Sequence, residues 1–456
     1  MFDYLTARVP VRYWTLLLFL LWGGLVLLTL RFDAYGLDEN AAQALLLNWS
    51  IAGDVANPIV VFGVPDFRAL LYIPLGIYWP GSVTAAKVFT VLLGFSAVLL
   101  FYRWSARQFT AETALIGSGL LLIAPFMLHQ IDGLGAGVYL LFVFGAGVWL
   151  DDAYRAAPRP LGGKYFLQLL LAAIAVTLHP AGLACPAALV WRWYREPLDA
   201  RQQRHIYTGV ALAVLFALLL RQGWSNLAWW SNPVEALGNA LGTYSSWPGW
   251  LAGALLVLIV AVNLRRFMRD YMGQMLLAAA TLGALAADAV WATFALTLLL
   301  YYGGAQLIAL NQKWRGGFLA QRGLTLLAIM LISLLFMGAN KQHYAFNKAG
   351  ALSPEDRLIA RLAEEAHDAE SPFSAASQWP ARTMLAARRA VLPLPPPAQD
   401  AESFLKQIQG ITHLIFNPYQ IDKALARNLA ETAGEMETVA REPGGVILRV
   451  RGEEQP

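Results

Sequence analysis

The sequence has almost no cysteine and little charge. Cys185 is the single cysteine among 456 residues, which excludes an internal disulfide and any cysteine-based metal cluster. Only 14% of residues are charged, against about 25% in an average soluble domain. Phosphate-loop and dinucleotide-binding glycine patterns are absent, and so is any internal repeat. No A-x-A cleavage site follows the first apolar run, "YWTLLLFLLWGGLVLLTL". That run is too long for the core of a signal peptide and is expected to remain as a span. The formal net charge is only +4, and nucleic acid is not expected among the partners.

What is present is apolar. Hydrophobic residues make up 57% of the chain, in runs longer than a soluble core absorbs. Read between charged punctuation, these runs predict spans at 13–30, 84–102, 112–128, 134–150, 165–180, 182–193, 206–221, 250–264, 271–287, 289–310 and 323–339. The expected fold class is a polytopic α-helical membrane protein of about eleven spans, with a small soluble α/β domain at its C-terminus. Basic residues orient it. Arg8, Arg12, Arg103, Arg107, Arg192, Arg195, Arg265, Arg266 and Arg269 fall in one set of loops, with Lys313 and Arg315. The opposite loops before the tail carry only Arg31, Arg68, Lys87 and Arg221. The positive-inside rule then puts the N-terminus in the cytoplasm and the tail on the far side, the periplasm of a bacterial inner membrane.

The expected division is a membrane domain over 1–339 and a periplasmic domain over 340–456. Two far-side loops, 31–83 and 222–249, are long enough to fold. Trp229, Trp230, Trp247 and Trp250 are expected in an interfacial aromatic belt. In the tail, 353–369 reads as a helix opened by Ser353 and Pro354. Residues 412–416 and 445–450 read as strands, 420–434 as a helix, and the proline run 392–397 as loop. The tail shows no active site of its own; it is expected to brace the loops or help bind an acceptor.

Chemistry is best placed just after the first span, in "RFDAYGLDENAAQALLLNWSIAGDVANP". The paired carboxylates Asp38 and Glu39 stand close to the membrane surface, followed by an apolar stretch from Ala41 to Ile51 expected to lie on the bilayer interface. Asp38 is equally suited to cap that helix, and a cap holds a carboxylate in fixed orientation, so the two roles are compatible. Asp132 lies in a short turn between spans; an acid at membrane depth is costly and tends to be functional, whereas one in an interfacial turn pays much less. His129 is close to it in sequence, and His179 ends another span. These three are conceivable metal ligands, but spacing across separate spans establishes no site. No cofactor is named by the sequence, and a divalent metal stays open. Asp288 is expected to top a helical hairpin. Arg68 and Lys87 are the far-side cations able to hold a phosphate or to anchor at the interface.

In this order the pieces resemble the GT-C class of membrane glycosyltransferases, most nearly the protein O-mannosyltransferases and the aminoarabinose transferases that modify lipid A. The resemblance rests on the acidic pair in "GLDENAAQALLLNWSIAGDV", on Asp132 in "IDGLGAGVYLLF", on "HPAGLACPAALV" where the family has "KGP-x-GL-x-x-P", and on the tail. Two departures stand out: the family's "KPP" segment is replaced by "GVPDFRALLYIPLG", and His179 stands where lysine is common. The "WWDYG" motif of oligosaccharyltransferases is missing, since "WWSNP" does not match it.

The resemblance implies inverting transfer of a monosaccharide from a polyprenyl-phosphate donor to a lipid, glycan or protein acceptor. It implies Asp38 as general base, Glu39 and Asp132 as orienting carboxylates, and Arg68, Lys87 or His179 on the donor phosphate. The rival readings are a transporter or lipid flippase, and a non-catalytic envelope-assembly component. Charges gathered at span ends rather than at mid-membrane favour chemistry at a surface.

Overall fold

The computed structural model describes residues 11–51, 68–156, 162–195, 204, 207–215, 246–285, 290–313, 318–368 and 373–451. Along the chain, α1 (Val11–Thr29) precedes α2 (Glu39–Ile51) and α3 (Arg68–Tyr78). Next come α4 (Val83–Gln108), α5 (Ala111–Leu122), α6 (Pro125–Asp132), α7 (Ala136–Ala156) and α8 (Gly163–Leu178). A 3-10 turn (Pro180–Leu183) leads into α9 (Ala184–Tyr194), then α10 (Ser246–Phe267) and α11 (Tyr271–Leu285). A π-turn (Leu299–Gly303) joins α12 (Val290–Leu298) to α13 (Gly304–Gln312), and α14 (Phe318–Lys348) follows. The C-terminal elements are α15 (Pro354–Asp368), β1 (Ala375–Ser377), α16 (Pro380–Ala387), β2 (Val391–Pro393), α17 (Ala401–Gln407), β3 (His413–Phe416), α18 (Lys423–Glu431), β4 (Met436–Glu442) and β5 (Gly445–Val450).

The chain is a membrane protein. Among the described residues five helices are long and apolar enough to cross a bilayer, or six if the bent pair α5–α6 counts as one span. The apolar runs coincide with helices, but several of those helices are too short to cross alone, and part of the run 206–221 lies outside the described residues. The α5–α6 bend of 47° falls at Pro125, whose ring and missing N–H stop α5 and start α6. Helices α10 and α14 carry ladders of exposed leucines (Leu251, Leu255 and Leu258; Leu327, Leu331 and Leu334), a surface that suits lipid.

Contacts group the chain into two units that cut across the 339/340 division: 1–30 with 87–345, and 31–86 with 346–456. The first loop thus belongs with the tail rather than with the membrane helices. The cause is a set of bonds from loop to tail. Arg31 donates to the Ala351 carbonyl, and the Gly36 N–H donates to Asp356 Oδ2 at 3.2 Å. Helix α2 packs on α3 and α16. Ala41, Ala42, Ala44, Leu45, Leu46 and Trp49 are all buried, so the apolar stretch expected on the bilayer interface is covered by protein instead.

In the same unit the sheet runs β2-β1-β3-β5-β4, parallel among β2, β1 and β3 and antiparallel at β5 and β4. Its core gathers Ala376, Phe404, Leu414, Phe416, Leu429 and Met436. Ser353 opens α15 through its Oγ, which accepts from the Asp356 N–H at 3.0 Å. The proline run 392–397 is loop from residue 394 onward, as expected, but its first two residues are not. Val391–Pro393 forms β2 at the sheet edge, where a proline costs no ladder hydrogen bond on its open side.

Candidate active site

Asp38 immediately precedes α2, and its geometry has two parts. Its carbonyl accepts from the Ala42 N–H at 2.9 Å and its Oδ1 from the Asn40 N–H at 3.0 Å, an N-cap arrangement. Its Oδ2 accepts from Arg68 Nη1 at 3.0 Å. About a third of the Asp38 side chain (32%) is open, while that of Arg68 is wholly covered (0%). The partners meet because α2 and α3 are locked together. Asn48 Nδ2 bonds the carbonyls of Ala44 (2.7 Å) and Ala69 (3.1 Å). Any side chain at Gly76 would press against Asn48, with a Cβ only 2.8 Å from its Cβ.

Glu39 turns the other way. Its carboxylate accepts from the Ala381 N–H (2.5 Å) and the Arg382 N–H (3.3 Å) at the start of α16, where free backbone N–H groups favour an anion. Burial nevertheless pushes its carboxyl up to about 7, outweighing the two backbone donors that pull it down. Beside it, the Arg382 guanidinium holds Asp356 at 2.7 Å.

In the other unit, Asp132 ends α6 and is buried. Its Oδ1 accepts from Lys87 Nζ at 2.8 Å, and its Oδ2 faces His343 Nε2 at 3.2 Å. The rings of His129 and His343 lie 4.2 Å apart. The turn beyond Asp132 places Leu134 in the left-handed region (φ 56°), a conformation costly for leucine. Gln130 holds the turn: its carbonyl accepts from the Gly135 N–H (2.7 Å) and its Oε1 from the Gly137 N–H (3.0 Å).

His179 ends α8, and its Nδ1 accepts from the Ala181 N–H at 3.0 Å, so the ring serves as the cap of the 3-10 turn. With Nδ1 accepting, the ring's proton is on Nε2, and a proton on Nδ1 would break the cap. The glycine of "HPAGL" has a steric reason: a Cβ on Gly182 would fall 1.7 Å from the Ala175 carbonyl oxygen.

The structure therefore joins Asp38 with Arg68, and Asp132 with Lys87, whereas Glu39 and His179 act as caps. All three residues expected on a donor phosphate are buried and already bonded within the protein. Among the described residues no group of three or more His, Cys, Asp or Glu side chains is placed to hold a metal ion. Asp288, Trp229 and Trp230 lie outside the described residues, as does the Trp247 side chain, and Trp250 is exposed on α10. Sequence reasoning missed His343, Asp356 and Arg382. A signal existed for His343 in "NKQHYAFNK", a polar stretch directly behind the last apolar run. Nothing local marks the other two.

This architecture is the GT-C fold of membrane glycosyltransferases. ArnT from Cupriavidus metallidurans, solved bound to undecaprenyl phosphate, superposes with a TM-score of 0.56 at 12% identity, over 98% of this chain and 99% of that one. The oligosaccharyltransferase of Archaeoglobus fulgidus in its apo form gives 0.52 at 11% identity, over 89% of this chain and 70% of its own. The mycobacterial arabinofuranosyltransferase AftD gives 0.50 at 14% identity, with 97% of this chain matching 42% of that protein. No protein-family model matches the sequence, and no curated protein sequence matches it.

Proposed function

We propose that this protein is an inverting glycosyltransferase. It moves a monosaccharide from a polyprenyl-phosphate donor to a lipid, glycan or protein acceptor, on the periplasmic side of a bacterial inner membrane. The observation that carries the reading is Asp38, a carboxylate fixed by a helix cap and an arginine yet partly open, on a fold shared with glycosyltransferases. Asp38 draws the proton from the acceptor nucleophile, whose lone pair forms the new bond to the anomeric carbon. The bond from that carbon to the phosphate oxygen breaks, and polyprenyl phosphate leaves with the electron pair.

Arg68 is the positioning residue for Asp38, and its charge also favours the departing phosphate. Glu39 supports the site indirectly by fixing α2 to α16. Lys87 and His343 hold Asp132, and His179 shapes its own turn. The full-length protein in lipid is given radiolabelled polyprenyl-phosphate monosaccharides, one at a time, with acceptor-rich membrane extract. Release of lipid phosphate by the wild type, lost in Asp38→Asn, supports the reading. No release from any donor by folded protein overturns it.

A further inference from the structure

Far along the chain from the carboxylates, a cavity of about 360 Å³ is lined by Gln108, Arg265, Arg266, Arg269 and Asp270. It lies at the C-terminal ends of α4 and α10. Three guanidinium groups within five residues repel one another, and like charges at i and i+4 destabilise a helix end. The helix dipole offsets part of that repulsion. Arg266 is anchored: it donates to the Gln108 carbonyl and lies 4.2 Å from the centre of the Phe109 ring.

Arg265 and Arg269 are exposed, and among the described residues neither has a carboxylate partner. Asp270, the one acid in the lining, is turned inward. Its Oδ1 accepts from Trp104 Nε1 (3.1 Å) and the Met272 N–H (3.3 Å), and its Oδ2 from the Tyr302 hydroxyl. The cavity thus concentrates positive charge that the described residues leave uncompensated. An anion would satisfy it, and forked guanidinium groups suit phosphate oxygens best.

The wall beside the cavity says which phosphate. Val257, Leu258, Val262 and Leu264 are exposed along α10, and Leu264 immediately precedes the arginines. A lipid whose chains lie on that face brings its headgroup to the guanidinium groups, and basic pockets at span ends favour acidic headgroups. We propose that Arg265, Arg266 and Arg269 hold the phosphate of an anionic membrane phospholipid whose acyl chains run along α10. This site is independent of the glycosyltransferase reading.

The test is native mass spectrometry of the full-length protein in detergent, titrated with phosphatidylglycerol, cardiolipin or phosphatidylcholine. The wild type retains the two anionic lipids in preference to phosphatidylcholine. Arg265→Gln/Arg269→Gln, two exposed positions, weakens their retention about 10- to 30-fold. Arg204→Gln/Lys313→Gln removes equal charge outside the cavity and leaves retention within about twofold of wild type. Equal losses in both double variants, or no loss in either, overturn the proposal in favour of diffuse surface charge. Displacement of the lipid by millimolar inorganic phosphate also overturns it, because the occupant would then be a soluble anion. Matching thermal melts of the variants show that lost binding is not lost folding.

Discussion

Arg68, with none of its side chain exposed, stands 3.0 Å from Asp38 Oδ2, and a third of the Asp38 side chain is open. A buried guanidinium is thereby spent on orienting one partly exposed carboxylate. The same carboxylate caps α2 through its other oxygen, so its position is fixed twice.

Asp38→Asn keeps one oxygen, enough for the cap or for Arg68 but not for both, and removes the proposed base. Turnover is expected to fall by about 10²–10⁴, with a loss of stability smaller than that of Asp38→Ala. Asp38→Ala loses the cap and the bond to Arg68 together and should cost about 2–4 kcal/mol. Lipid-phosphate release and a thermal melt of both variants check the pair; equal melting of the two would defeat the double anchoring.

Arg68→Lys keeps the charge and loses the planar fork. If Arg68 orients the base, kcat falls roughly tenfold or more while KM stays within about twofold. A rise in KM at unchanged kcat would assign Arg68 to donor binding instead.

The Glu39 carboxyl is raised from the usual 4.5 to about 7 by burial. Between those values the folded state keeps a proton that the unfolded chain has released. Stability from this group is therefore complete below the lower value and is lost as pH rises through the upper one. The stability difference between wild type and Glu39→Gln should move against the wild type from pH 5 to pH 8. Chemical denaturation at several pH values measures it, and a constant difference would refute the shift.

Lys87→Met takes the ammonium partner from buried Asp132 but leaves it the His343 contact, and is expected to cost up to about 3–5 kcal/mol. Lys87→Met/Asp132→Leu should recover most of that loss, because two apolar groups replace the pair. A double-mutant cycle on melting in detergent reads the coupling directly.

Gly182→Ala drives a Cβ toward the Ala175 carbonyl and should destabilise by about 1–3 kcal/mol or more. His179→Asn, which can still offer a capping oxygen, should be milder. The order of the two melts is the observable.

Local chemistry wrote much of this into the sequence. Apolar runs marked the helices because each is a property of consecutive residues, and Asp38 was readable as both cap and base candidate because a cap depends on its immediate neighbours. Ser353, β3 and β5 were legible for the same reason. Partner choice was not local. Arg68 finds Asp38 across 30 positions, and His343 reaches Asp132 from another helix. Glu39 accepts from the backbone at the start of a helix 342 residues away, a partner that nothing in its neighbourhood announces. The sequence by itself determined a membrane protein with an acidic pair after its first apolar helix, since hydrophobicity and charge are carried residue by residue. Only the tertiary structure decided which acid stays open and which is spent, because burial and ion pairing depend on side chains brought together from distant segments.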